Sequence, residues 1–89
     1  MTYTELYAEI RALLDDLEPD GLIRREDIMD LYVEKSGTKV QSYRNRFTGP
    51  LARQIRFAIT MALKDTGFVR ANSESSYTPI YQKQGAEAQ

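Results

Sequence analysis

Two long stretches of this 89-residue chain carry apolar residues at helical spacing. In the first, Leu6, Ile10, Leu13, Leu14 and Leu17 fall on one stripe, which predicts an amphipathic helix over residues 3–18. Thr2 and Glu5 have the spacing of a capping box. Pro19-Asp20-Gly21 ends the pattern, because proline cannot continue a helix and Asp-Gly favours a turn. In the second stretch, Leu51, Ile55, Ala58, Ile59, Ala62 and Leu63 predict a helix over residues 50–66. Thr48-Gly49-Pro50 opens it, Gly67 closes it, and Phe68 is placed to fold back on its last turn. Between the two, Ile28, Leu31 and Tyr32, with Met29 close by, mark a helix over residues 25–36 that stops at Ser36-Gly37.

The remaining segments are shorter. Leu22-Ile23 is too short for an independent strand and is expected to pair with a later hairpin edge. Residues 68–71 and 77–82 have strand composition, and the small polar run Asn72 to Ser76 reads as the loop between them. Pro79 lacks an N–H, so it is expected at an edge or facing outward. Residues 38–49 have no clean period. Val40, Tyr43 and Phe47 lie three and four apart, which allows a short helix, and a basic loop is the alternative. Gly85 to Gln89 offers nothing to bury and is expected to fray. The sum is one α+β domain over residues 1–84, mostly α, with three or four helices followed by a C-terminal β-hairpin.

Composition narrows the chemistry. Apolar residues make up 42% and charged residues 28%, a globular balance that excludes a fully disordered chain. No apolar run approaches the ~20 residues of a membrane span, and the N-terminus lacks the basic-then-apolar order of a secretory signal. With neither Cys nor His, disulfides, thiolate nucleophiles, His-ligated zinc and Ser-His-Asp catalysis are all removed. A reduced, cytoplasmic setting is the natural reading. Carboxylates cluster at Asp15-Asp16, Glu18, Asp20 and Glu26-Asp27. However, neighbouring helical side chains diverge by about 100°, and the spacing fails the calcium-loop pattern. No catalytic residue, metal or cofactor is expected.

The net charge of −1 hides a segregation. Residues 1–34 hold ten acids and three bases, whereas residues 35–70 hold eight bases and one acid, Asp65. A chain divided this way suits a polyanion on one face. Pairing of the acidic and basic helices with each other is the plainer alternative.

The order of elements, and in particular the run from Leu51 to Gln82, resembles the winged helix-turn-helix family. The residues concerned are a helix ending Ala62-Leu63-Lys64-Asp65-Thr66-Gly67-Phe68, then Val69-Arg70, then a return strand Tyr77-Thr78-Pro79-Ile80-Tyr81. The likeness is one of element order over residues 3–82. It implies that the helix before the hairpin enters the major groove while the hairpin, the wing, meets the backbone or minor groove. The stretch between Gly37 and Pro50 is longer than the family's usual turn.

Double-stranded DNA is therefore the expected partner, met through Arg44, Arg46, Arg53, Gln54, Arg56, Thr60, Lys64, Arg70 and Asn72. The cations clamp phosphates, and Gln54 and Thr60 reach base edges or phosphates. A wheel at about 100° per residue gathers Arg53, Arg56, Thr60 and Lys64 on one side of their helix. Short single-domain binders of this kind make a transcriptional regulator or accessory factor of phage or plasmid type the expectation. Two-fold DNA sites suggest a homodimer, built through the first helix or the Phe57–Met61 edge.

The aromatics add a second possibility. Tyr43, Phe47 and Phe57 are interleaved with arginines, as in proteins that stack bases. Phe47 fits the core, whereas Phe57 lies off its helix's apolar stripe, where an exposed ring suits a protein interface. Tyr3 and Tyr7 flank the first helix's stripe and are expected to close the core's edge. The alternative function is a protein-interaction module of the same fold, an adaptor or an inhibitor whose acidic N-terminal third mimics DNA.

Overall fold

The computed structural model describes residues 2–18, 21–73 and 75–83. The expected tail over Gly85 to Gln89 lies outside them.

Helix α1 (Tyr3–Leu17) starts with the capping box in place. Thr2 accepts from the Glu5 N–H, and Glu5 accepts in return from the Thr2 N–H at 2.9 Å. It buries Leu6, Ile10, Leu13 and Leu14. Strand β1 (Leu22–Arg24) leads into helix α2 (Arg25–Ser36), which buries Ile28, Met29 and Tyr32. Gly37 ends α2 in the left-handed region, at φ 69°.

Helix α3 (Gly49–Asp65) buries Ala52, Ile55, Ala58, Ile59, Ala62 and Leu63. Ala52 is buried as well, whereas Leu51, expected on the stripe, stays exposed at the helix's first turn. Three alanines on this face let α1 and α2 approach closely, so α3 is covered on two sides and open on the third. Gly49 is required where it stands. Its φ is 94°, and a Cβ there would lie 2.9 Å from Gln41 Oε1.

Strands β4 (Phe68–Arg70) and β5 (Ile80–Lys83) close the chain. Leu22-Ile23 does pair with the return strand, Ile23 opposite Tyr81, and the antiparallel sheet has the order β1-β5-β4. Its inner row sets Ile23, Tyr81 and Phe68 against the helices, with Phe68 and Tyr81 buried.

Two expectations change in this region. The return strand begins at Ile80 instead of Tyr77, because side chains brace the preceding loop, as described below. Pro79 is buried instead of facing outward. It sits one residue ahead of the central strand, so its missing N–H costs no ladder bond, and its carbonyl accepts from the Arg25 N–H at 3.0 Å.

Residues 42–47 are neither helix nor loop. They form a second, small hairpin, β2 (Ser42–Tyr43) and β3 (Arg46–Phe47), with Arg44-Asn45 at its tip. Val40 and Phe47 pack on the core, and Thr48 N–H donates to the Gln41 carbonyl at 2.8 Å. The hairpin is thereby fixed at the start of α3.

Candidate nucleic-acid interface

The open side of α3 is set by its neighbours. Toward α2, Arg56 reaches Glu26; toward α1, Phe57 meets Tyr3. Between these boundaries lie Arg53, Thr60 and Lys64, with Gln54 exposed one residue beyond Arg53. Arg53, Gln54 and Lys64 are exposed and make no hydrogen bond or ion pair among the described residues. Thr60 is half-buried. α3 has no acid in its first turn, and its N-cap, Thr48, makes no side-chain capping bond. The free N–H groups and positive dipole end of α3 therefore remain available to an anion.

The β2–β3 hairpin adds two more cations beside that helix start. Arg44 and Asn45 both have positive φ, 52° and 64°, the signature of a two-residue type I′ turn. The Arg44 guanidinium lies 5.2 Å from the centre of the exposed Tyr43 ring. Arg46 is exposed on the opposite strand. Such a turn favours Asn-Gly, so a non-glycine pair holds backbone strain at the tip. Replacing the tip by Asn-Gly (Arg44→Asn with Asn45→Gly) is expected to raise stability by about 1 kcal/mol. A thermal melt checks this, and an unchanged or lower midpoint contradicts it.

Arg56 does different work from its neighbours. Its side chain is 14% exposed and grips Glu26 with three hydrogen bonds of 3.0 to 3.1 Å, while a fourth, at 2.8 Å, goes to the Phe47 carbonyl. Arg25 also pairs with Glu26, at 3.0 Å. The guanidinium thus ties α2, the hairpin and α3 together and has little left for a phosphate. Burial pushes the Glu26 carboxyl up, but the bonds from Arg56 and Arg25 outweigh it and hold the group below its ordinary range. Asp30 goes the other way, raised by burial and by Glu26 and Asp27 nearby.

A depressed carboxyl contributes stability above its unfolded pKa of about 4.3, which is lost as pH falls through the lower folded value. Unfolding free energy should therefore fall on acidification below about pH 5. Glu26→Gln should be less stable at neutral pH and lose part of that fall. Urea titrations at several pH values read both, and parallel profiles for the two proteins would contradict the assignment.

Arg70 and Asn72, both expected at the DNA, are also engaged within the fold. Arg70 donates to Asn72 Oδ1 and to the Ser73 carbonyl, each at 2.8 Å. Asn72 Oδ1 also takes the Ile80 N–H, and its amide donates to the Thr78 carbonyl. Beyond the last backbone bond of the hairpin, from the Ala71 N–H to the Ile80 carbonyl at 2.7 Å, these side-chain bonds shape the β4–β5 loop.

Among the described residues the acidic N-terminal third neutralises one cation of the basic segment, Arg56, through Glu26. The three ion pairs among the described residues connect Arg24, Arg25 and Arg56 to Glu26 and Asp27, and none joins a carboxylate of α1 to a cation of α3. Glu9 of α1 instead accepts from Tyr32 Oη at 2.6 Å, and burial with this carboxylate pushes the phenol up to about 12. Tyr7 donates to Asp65 and accepts from Arg11, so the one acid of the basic segment is tied to a tyrosine. Among the described residues no group of acids is arranged to hold a metal ion, and no helix is long and apolar enough to cross a membrane.

Phe57 lies off the apolar stripe of α3, and its ring is 57% exposed. The Tyr3–Phe57 contact, at 5.8 Å between ring centres, has no signal in the sequence, because the two residues share no local pattern. No protein family, curated protein or solved structure matches this chain.

Proposed function

We propose that this chain is a winged helix-turn-helix protein that binds duplex DNA, with α3 as the reading helix, the β2–β3 hairpin as a flanking phosphate clamp and the β4–β5 hairpin as the wing. The element order and the sheet order β1-β5-β4 support that arrangement. One observation carries the function. Residues 35–64 contain seven bases and no acid, and only one of the seven, Arg56, is held in an ion pair among the described residues.

The proposed contacts are Arg44 and Arg46 on phosphates at the edge of the site, Arg53 and Lys64 on phosphates across the groove, and Gln54 with Thr60 toward base edges. The uncapped start of α3 supplies a further phosphate site. Arg56, Arg70 and Asn72 hold these elements in place. A regulator or accessory factor is the corresponding biological role, and a two-fold site would take two copies.

Fluorescence anisotropy with a mixed-sequence duplex of about 20 bp, titrated between about 50 and 200 mM salt, tests this. Four clamped phosphates require log K to fall with log salt at a slope near −3 to −4. Absence of duplex binding at the lowest salt would overturn the proposal.

A further inference from the structure

We infer that Phe57, braced by Tyr3, reads the 5-methyl group of thymine in the major groove. This rests on the DNA-binding reading and adds a base preference to it. Large apolar side chains usually leave water when folding allows, yet Phe57 stands 57% exposed in the middle of a helix that carries cations on either side. Its ring is not loose. Tyr3 lies 5.8 Å away at a tilt of 47°, Tyr3 stacks on Tyr7 at 6.1 Å, and Tyr7 is bonded to both Asp65 and Arg11. A shallow cleft of about 410 Å³ opens beside the ring, bounded by Tyr3, Pro50, Arg53, Gln54 and Phe57. The ring forms its apolar wall, and an amide and a guanidinium stand at its rim.

The spacing suits a groove. At 1.5 Å and 100° per residue, Arg53, Thr60 and Lys64 all lie within about 60° of Phe57 around the helix. Arg53 and Lys64 stand about 16 Å apart along it, against a major groove about 12 Å wide. Long cationic side chains at the two ends can meet phosphates of opposite strands while Phe57 faces the base edges between them. The floor of that groove offers donors, acceptors and one apolar group, the thymine methyl. A ring pressed on any other edge would strip water from polar atoms and return no hydrogen bond. Gln54, one turn before Phe57, carries the amide that pairs with adenine N6 and N7, so the two side chains favour A·T pairs together. The absence of acids through residues 35–64 favours this anionic occupant over a protein surface.

The test compares duplexes that differ by the methyl alone: alternating dA-dT against alternating dA-dU, and alternating dG-dC against the same duplex with 5-methylcytosine. The expected result is binding about 3- to 10-fold tighter to the thymine duplex than to the uracil duplex, the size one buried methyl supplies. The methylated cytosine duplex should gain in the same sense. Phe57→Ala should abolish the ratio while still binding the uracil duplex, because its cations remain. The residue is exposed, so the variant is expected to fold, and circular dichroism verifies it. Equal affinity for thymine and uracil duplexes, with binding retained, would overturn the inference and leave the DNA-binding reading standing. Binding to none of the four duplexes would overturn both. A Phe57→Ala variant that turns a dimer into a monomer in sedimentation, with the thymine-to-uracil ratio unchanged, would assign this face to a second copy of the chain instead.

Discussion

Arg53→Ala combined with Lys64→Ala is expected to weaken duplex binding about tenfold or more at low salt, and to reduce the magnitude of the salt slope by about 1.8. Both side chains are exposed and bonded to nothing else among the described residues, so their loss leaves the fold intact. Each clamped phosphate releases close to one counterion, so the slope counts contacts where affinity alone cannot. Substitutions at such surface positions usually change stability by less than about 0.5 kcal/mol, so the melting temperature should hardly move. Anisotropy across a salt series, with a thermal melt on the same samples, checks both parts. An unchanged slope would mean that α3 does not face the duplex.

Arg56→Ala is expected to do the reverse. The guanidinium leaves three elements without their common partner, and Glu26 keeps only Arg25. Hydrogen bonds to charged groups contribute about 1.5–3 kcal/mol, and partial exposure of this pair reduces the loss to about 1–2 kcal/mol. For a domain of this size that lowers the melting temperature by roughly 5–15 °C. At a temperature where the variant is folded, the salt slope should match that of the wild type. A stable Arg56→Ala protein with a flatter slope would put Arg56 back among the phosphate contacts. The pair of variants thus separates two arginines that sit on the same side of the helical wheel and differ only in what the fold places beside them.

That contrast marks the limit of what the sequence discloses. The three helices are legible because their signals are local. The Thr2–Glu5 capping box, the stripe from Leu6 to Leu14 and the Ser36-Gly37 stop each act within a turn or two, and the helices begin and end within a residue of expectation. The pairing of Leu22-Ile23 with the return strand is legible too, since an apolar dyad beside a turn has few other uses. The β2–β3 hairpin is not. Its strands are two residues long, and its turn is Arg-Asn instead of the Asn-Gly that signals a type I′ turn. The start of the return strand is hidden for another reason: Arg70 and Asn72 satisfy the loop's backbone with side-chain bonds that no propensity encodes.

Within the candidate site the same division holds. Periodicity groups Arg53, Arg56, Thr60 and Lys64 on one face, but it cannot foresee that Glu26, thirty positions earlier, captures Arg56. Nor can it foresee that Tyr3 braces Phe57. Charge segregation along the chain is read directly from the residues. Its survival in three dimensions depends on where the acids of α1 and α2 point: among the described residues those of α1 meet no base of α3, whereas Glu26 of α2 takes Arg56.

In the proposed complex, α3 and the β2–β3 hairpin together form the surface on which duplex DNA sits. Amide chemical shifts of the isotope-labelled protein, followed while a short duplex is added at low salt, test it most directly. The shifts are predicted to concentrate on residues 43–48 and on the exposed positions from Arg53 to Lys64, with those of α1's acidic face unmoved. Changes confined to α1, or none at all at saturating duplex, would contradict it.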